Sequence, residues 1–168
     1  MIFLITKSIN DELLDEFIRF VNSLNETQSF DIYISCPGGK VASMEAILNI
    51  IDQNKYRVRL YAYGEIASSA FELFFKSSSE KHLLPGCIGM YHRGYASINI
   101  DERGTPTYKS DESQLAFLKK YCNDTTEKLI SEIGLNDKEI KSIRKGDDVW
   151  FQPDRMKEIL KHIENGKN

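Results

Sequence analysis

Phe30-Asp31-Ile32-Tyr33-Ile34-Ser35-Cys36-Pro37-Gly38-Gly39 is the stretch on which the fold turns. Phe30 to Ser35 read as a strand, rich in the β-branched and aromatic residues that fit a pleated surface. Cys36-Pro37-Gly38-Gly39 cannot continue it, because proline has no N–H for the ladder and paired glycines favour a turn. Working downstream, Val41 to Gln53 places Met44, Ile47, Leu48 and Ile51 on one face and is predicted to be a helix. Tyr56 to Tyr63 alternates, with Val58, Leu60 and Ala62 on one side, and is predicted to be the next strand. Gly64 is expected to end that strand, and a short apolar helix, buried on most sides, is expected over Ile66 to Phe75. Upstream, Met1 to Thr6 reads as a first strand. Cap-type residues from Ser8 to Asp11 then precede a helix with Leu13, Leu14, Phe17, Ile18, Val21 and Leu24 at helical spacing. Strand and helix alternate through this region, so the expected class is α/β with a parallel sheet built of βαβ units.

Beyond it, Leu83 to Gly86 and Ile88 to His92 suggest two short β pieces, and Tyr95 to Tyr108 suggests a hairpin turning at Arg103-Gly104. A long helix is predicted from Ser110 to Ile133. It has one stripe at Leu115, Leu118, Cys122, Leu129 and Ile133 and further apolar residues at Phe117 and Tyr121, enough to bury two faces. Asp137 to Arg144 reads as a short helix, Val149-Trp150-Phe151 as extended, and Pro153 as the first turn of a closing helix.

The chain has 168 residues, a length suited to one domain, here 1–168, that buries a core without disulfides or metals. Its 41% hydrophobic and 28% charged residues exclude disorder and a fibrous repeat. A net charge of −3 with no basic stripe argues against a nucleic-acid partner. Cys36, Cys87 and Cys122 are widely spaced and form no metal-binding pattern, which fits a reduced cytoplasmic setting and no metal. The apolar start is far shorter than the roughly 18 residues of a membrane span and lacks the basic flank of a signal peptide, so no membrane association is expected.

Both strand-to-helix junctions, Pro37-Gly38-Gly39 and Gly64 to Ser69, belong at the carboxyl ends of strands, where reactive groups of α/β sheets gather. A serine hydroxyl is a poor nucleophile unless a base, an orienting group and oxyanion donors surround it. Ser68 at the start of a helix is the candidate nucleophile. The N–H of Ser69 is free in the first helical turn, and the N–H of Gly39, unshielded by any side chain, can approach a carbonyl closely. His92 is the candidate base. Duller readings stand beside these: Ser68 as an ordinary helix cap, His92 as a surface histidine, Pro37-Gly38-Gly39 as a tight turn, Ser69 as the reactive hydroxyl instead of Ser68, and Cys36 as a thiol nucleophile. His82, in a polar loop, and His162, on the closing helix, are expected to be solvated.

Ile32 to Gly39, Gly64-Glu65-Ile66-Ala67-Ser68-Ser69 and Met90-Tyr91-His92 together resemble the proteolytic subunit of the Clp protease. That family has a Ser-Pro-Gly-Gly turn, a Gly-x-Ala-Ala-Ser-Met-Gly nucleophile segment and a Met-Ile-His base segment, in this order. The resemblance, over roughly Met1 to Phe151, implies a crotonase-like fold of repeated ββα units with a protruding handle helix. It implies a serine endopeptidase working without a cofactor on peptides or unfolded proteins inside a homo-oligomer of stacked rings. It gives Ser68 as nucleophile, His92 as base, and Gly39 and Ser69 as oxyanion-hole residues. The acid precedes a short apolar segment and the last helix, which points to Asp148, with Asp147 adjacent. An AAA+ unfoldase is implied as partner, against which stands a first strand that begins at Met1, where the family has an N-terminal extension. Ser69-Ala70 in place of Met-Gly and Arg93-Gly94 in place of Gln-Pro mark a divergent member. A catalytically silent structural or regulatory subunit and a crotonase-type acyl-CoA enzyme are the alternatives.

Overall fold

The computed structural model describes residues 1–94 and 112–166. The hairpin expected over Tyr95 to Tyr108 and the expected helix start at Ser110 lie outside the described residues.

Three parallel strands, β1 (Ile2–Ile5), β2 (Phe30–Cys36) and β3 (Val58–Ala67), are joined by helices α1 (Asp11–Asn22) and α2 (Val41–Gln53). Alternate residues of β2 (Phe30, Ile32, Ile34, Cys36) are buried. They meet Leu13 and Phe17 of α1 and Met44, Ile47, Leu48 and Ile51 of α2 in one core. Asn10 caps α1, its side-chain oxygen accepting the Leu13 N–H at 2.8 Å. Helix α3 (Ser69–Lys76) is buried from Ser69 through Phe75, as its largely apolar sequence predicts. Strands β4 (Glu80–Leu83) and β5 (Ile88–Tyr91) follow, then α4 (Glu112–Glu132), α5 (Asp137–Lys145), β6 (Val149–Phe151) and α6 (Pro153–Asn165). The sheet runs β1-β2-β3-β5-β6, and β4 also pairs with β3. This mixed α/β architecture agrees with the expected class. No helix among the described residues is long and apolar enough to cross a membrane.

The structure corrects the expectation at Gly64. β3 does not stop there but continues to Ala67, because glycine accepts the left-handed φ of +58° at which the strand bends. Opposite the bend, Ile34 pairs with Ala62 and Cys36 with Ile66, so the ladder resumes with extra residues looped out on β3. The bend lets one strand serve two neighbours on one edge: Arg59 to Ala62 pair with β4, and Glu65 to Ala67 with β5. Ile66 and Ala67 are accordingly strand rather than helix, and α3 starts at Ser69.

Two smaller corrections follow. The first β piece is Glu80–Leu83, ending where Leu84-Pro85-Gly86 were expected to continue it. His82 therefore sits on a strand, its ring stacked 4.7 Å from that of Tyr61, which in turn stacks on Tyr33. His162 lies on the exposed face of α6, as expected.

On α4, Leu129 is buried, as is Ile133 just past its end, and Cys122 is half-buried, whereas Phe117 and Tyr121 are exposed. Leu115 and Leu118, the other members of the expected stripe, have side chains outside the described residues.

Candidate active site

Sheet register delivers the site. Ala67 pairs with Met90 at the end of the parallel β3–β5 ladder, and the Ser68 N–H donates to the Met90 carbonyl at 2.8 Å. Strand β6 is antiparallel to β5, with Gly89 opposite Phe151, Met90 opposite Trp150 and Tyr91 opposite Val149. One step beyond the last pair, His92 faces Asp148. Three residues far apart in sequence are thereby brought to one end of adjacent strands.

Their side chains form a continuous chain of hydrogen bonds. Ser68 Oγ lies 2.8 Å from His92 Nε2, and His92 Nδ1 lies 2.9 Å from Asp148 Oδ1. In the neutral ring with Nδ1–H donating to the Asp148 carboxylate, Nε2 is the acceptor for the Ser68 hydroxyl. That is the tautomer a serine nucleophile requires. His92 is mostly shielded, while the Asp148 side chain is 55% exposed. Asp147, the neighbour considered beside it, is exposed, and it is Asp148 that meets the imidazole.

Ser68 itself occupies a special backbone position. It is the N-cap of α3 with φ 53° and ψ −123°, the only non-glycine residue with positive φ among the described residues. Strain of this kind costs about 1–3 kcal/mol and persists only where surroundings enforce it. Here the Met90 carbonyl holds Ser68 N–H, and the Ser68 carbonyl accepts from Glu72 N–H at 3.1 Å, the first bond of α3. The sharp strand-to-helix turn lifts the side chain out of the sheet toward His92.

Gly38 and Gly39 come to the same place. A Cβ on Gly38 (φ +96°) would lie 2.6 Å from the Ala67 carbonyl oxygen and 2.8 Å from Ser68 Cβ, so only glycine permits the turn to press against Ser68. Gly39 forms a parallel bridge with Ile9: Ile9 N–H donates to Gly38 O and Lys40 N–H donates to Ile9 O, both at 2.8 Å. In that arrangement the N–H of Gly39 faces away from Ile9. The Ser69 N–H, in the first turn of α3, has no partner within its helix. Ser69 Oγ is buried and donates to the Gly39 carbonyl at 3.3 Å, so its hydroxyl is engaged there and not with His92.

Cys36 ends β2 in the core. Burial raises its thiol pKa above the ordinary value, opposite to what a thiolate nucleophile needs. Among the described residues, the hydrogen-bond partners of its sulfur are backbone groups of Lys7 and Gly38.

Sequence reading passed over Glu72. This carboxyl is 5% exposed, one helical turn after Ser68, and burial pushes its pKa up to about 7 against the pull of Lys76. Lys76 Nζ lies 3.4 Å from Glu72 and 2.6 Å from Glu45 of α2. The available signal was a lone acid inside an otherwise apolar helix. Tyr91, just before His92, is also buried; its hydroxyl donates to Thr126 Oγ1 of α4 at 3.5 Å and its pKa is raised by burial.

Compared with known proteins, no curated protein matches the sequence. A family model described as Clp protease matches residues 1–141, a segment that includes Gly39, Ser68, Ser69 and His92 and ends before Asp148. With most of its length matched and its strands and helices arranged as above, the chain belongs to the Clp protease family.

Proposed function

We propose that this chain is a serine-type endopeptidase subunit in which Ser68, His92 and Asp148 act as nucleophile, base and orienting acid. The observation that supports it best is the unbroken bond chain from Ser68 Oγ through His92 to Asp148 Oδ1, at 2.8 and 2.9 Å. In the reaction, Ser68 Oγ attacks the scissile carbonyl while its proton passes to His92 Nε2. Asp148 stabilises the imidazolium, and the oxyanion accepts the N–H groups of Gly39 and Ser69. His92 then protonates the leaving amine, and a water repeats the sequence to release the acyl group. The substrate is a peptide or unfolded protein, bound extended beside the Gly38-Gly39 strand end, where Gly39 is exposed. A single peptidase domain, a cytoplasmic setting and three free cysteines belong to the same reading.

Oligomerisation is part of the proposal. Phe117 and Tyr121 on α4 are 68% and 40% exposed, with rings stacked at a centroid distance of 6.5 Å. Apolar surface of this size on a helix is suited to a second copy of the chain. An AAA+ unfoldase as a further partner remains an expectation of the family resemblance alone.

A fluorophosphonate probe is expected to label the wild type at Ser68, and Ser68→Ala is expected to abolish labelling and peptide cleavage together. Wild-type protein that neither labels nor cleaves when assembled would overturn the peptidase reading. The half-exposed Asp148 favours a second reading, a scaffold subunit without activity, since water competes for the carboxylate that orients His92. Absent labelling together with co-assembly into rings of an active subunit is the result that reading requires.

A further inference from the structure

Gly39 and Ser69 belong to different elements, so the separation and aim of their amides are not set by either element alone. Two buried side chains join them. Cys36 Sγ accepts the Gly38 N–H at 3.3 Å and its thiol donates to the Lys7 carbonyl at 3.0 Å. The raised thiol pKa keeps the proton needed for that donation. This bond fixes the peptide entering Gly38, and the Ile9 N–H on Gly38 O fixes the peptide leaving it. In a trans peptide N–H and C=O point in opposite directions, so holding Gly38 O on Ile9 turns the Gly39 N–H the other way. On that other side, Ser69 Oγ holds the Gly39 carbonyl at 3.3 Å. The loop is thus pinned below by a thiol and tied across to the nucleophile helix by a hydroxyl. Both side chains are only 2% exposed, so water cannot substitute for either.

We propose that the Cys36 thiol and the Ser69 hydroxyl are positioning groups that preset the oxyanion amides, Cys36 through Gly38 and Ser69 through the Gly39 carbonyl. The role of the Ser69 side chain is separate from that of its amide. The inference rests on the peptidase reading. Both side chains are buried and bond backbone groups of the loop, so their loss belongs in kcat, since preset donors act on charge that develops in the transition state.

The test uses the assembled full chain with a fluorogenic peptide, a fluorophosphonate probe and a peptide aldehyde that binds as a tetrahedral adduct. Removing one oxyanion donor outright costs about 10²–10³ in kcat, so losing its alignment should cost less. Ser69→Ala is expected to lower kcat by about 10- to 100-fold, with KM within about twofold of wild type. It should slow probe labelling and weaken the aldehyde by a similar factor. Cys36→Ala should act in the same sense, and Cys36→Ser, whose hydroxyl can also accept from Gly38 and donate to Lys7, should recover most of the loss. If Cys36→Ala does not fold, the Ser69→Ala and Cys36→Ser results decide: a fully retained kcat in Ser69→Ala overturns the proposal. So does a loss carried by KM, or a Cys36→Ser enzyme no better than Cys36→Ala. Labelling of wild type and both alanine variants at one rate sinks this inference while leaving the peptidase reading intact. A wild type that no probe labels overturns both.

Discussion

At Ser68 the chain accepts an unfavourable backbone conformation to present one hydroxyl. The φ of 53° costs a serine more than it would a glycine, and no tertiary contact removes that difference. Ser68→Gly is therefore expected to be inactive yet more stable than Ser68→Ala by about 1 kcal/mol, read as a higher denaturant midpoint. Equal midpoints would show that the turn is unstrained. Glu72 imposes a cost of another kind. Its pKa is about 7 in the fold against 4.5 unpaired in water, so the native state retains a proton that the unfolded chain releases. The stability this contributes is fully present below about pH 4.5 and is lost as pH rises through about 7. Glu72→Gln should accordingly stabilise the protein at pH 8, by roughly 2 kcal/mol, and change little at pH 4. Urea unfolding at the two pH values checks this, and a variant less stable at pH 8 would show that the carboxylate is better paired with Lys76 than its burial implies.

At the scale of elements, the site is a product of two ladders and one bend. Gly64 allows β3 to leave β4 and take β5 as neighbour, which sets Ser68 beside Met90. The antiparallel β5–β6 pairing then brings Asp148, not Asp147, opposite His92. Asp148→Asn is expected to lower kcat by one to four orders of magnitude, the upper end being the loss seen when a buried triad aspartate is made neutral. Asp147→Asn should leave kcat within about threefold of wild type. Steady-state rates on one peptide separate the two, and the reverse ranking would mean that β6 is shifted by one residue in the active assembly. The same geometry explains why the glycine pair is strict: Gly38→Ala would drive its Cβ into the Ala67 carbonyl and Ser68 Cβ. It is expected to abolish probe labelling even where circular dichroism shows a retained fold.

For the whole molecule the question is what covers α4. Leu129 and Ile130, with Ile133 in the turn that follows, anchor its carboxyl end in the core, and Phe117 and Tyr121 stand in solvent on the other half. If a second copy covers that surface, wild-type protein at micromolar concentration should scatter light as a multimer. Phe117→Glu combined with Tyr121→Glu should shift it toward the monomer. A monomeric wild type would remove the oligomer from the proposed function without touching the bond chain at Ser68.

Much of this was legible in the sequence because it depends on local physics. Period-two and period-3.6 patterns, the Asn10 region as a cap, Pro37-Gly38-Gly39 as a turn and Pro153 as a helix start all act within a few residues of themselves. Alternation of these elements was sufficient to fix an α/β class, while Ser68, His92, Gly39 and Ser69 were put forward together through the resemblance of three segments to the Clp protease family. Tertiary structure alone decided the rest. Whether Gly64 ends a strand or bends it depends on β4 and β5 both reaching the same edge. The family resemblance already pointed to Asp148, but its contact with His92 depends on a pairing between segments nearly sixty residues apart, and a one-residue slip would put Asp147 there instead. The charge state of Glu72 and the engagement of the Ser69 hydroxyl depend on burial, which is a property of the packed chain and of no segment taken by itself.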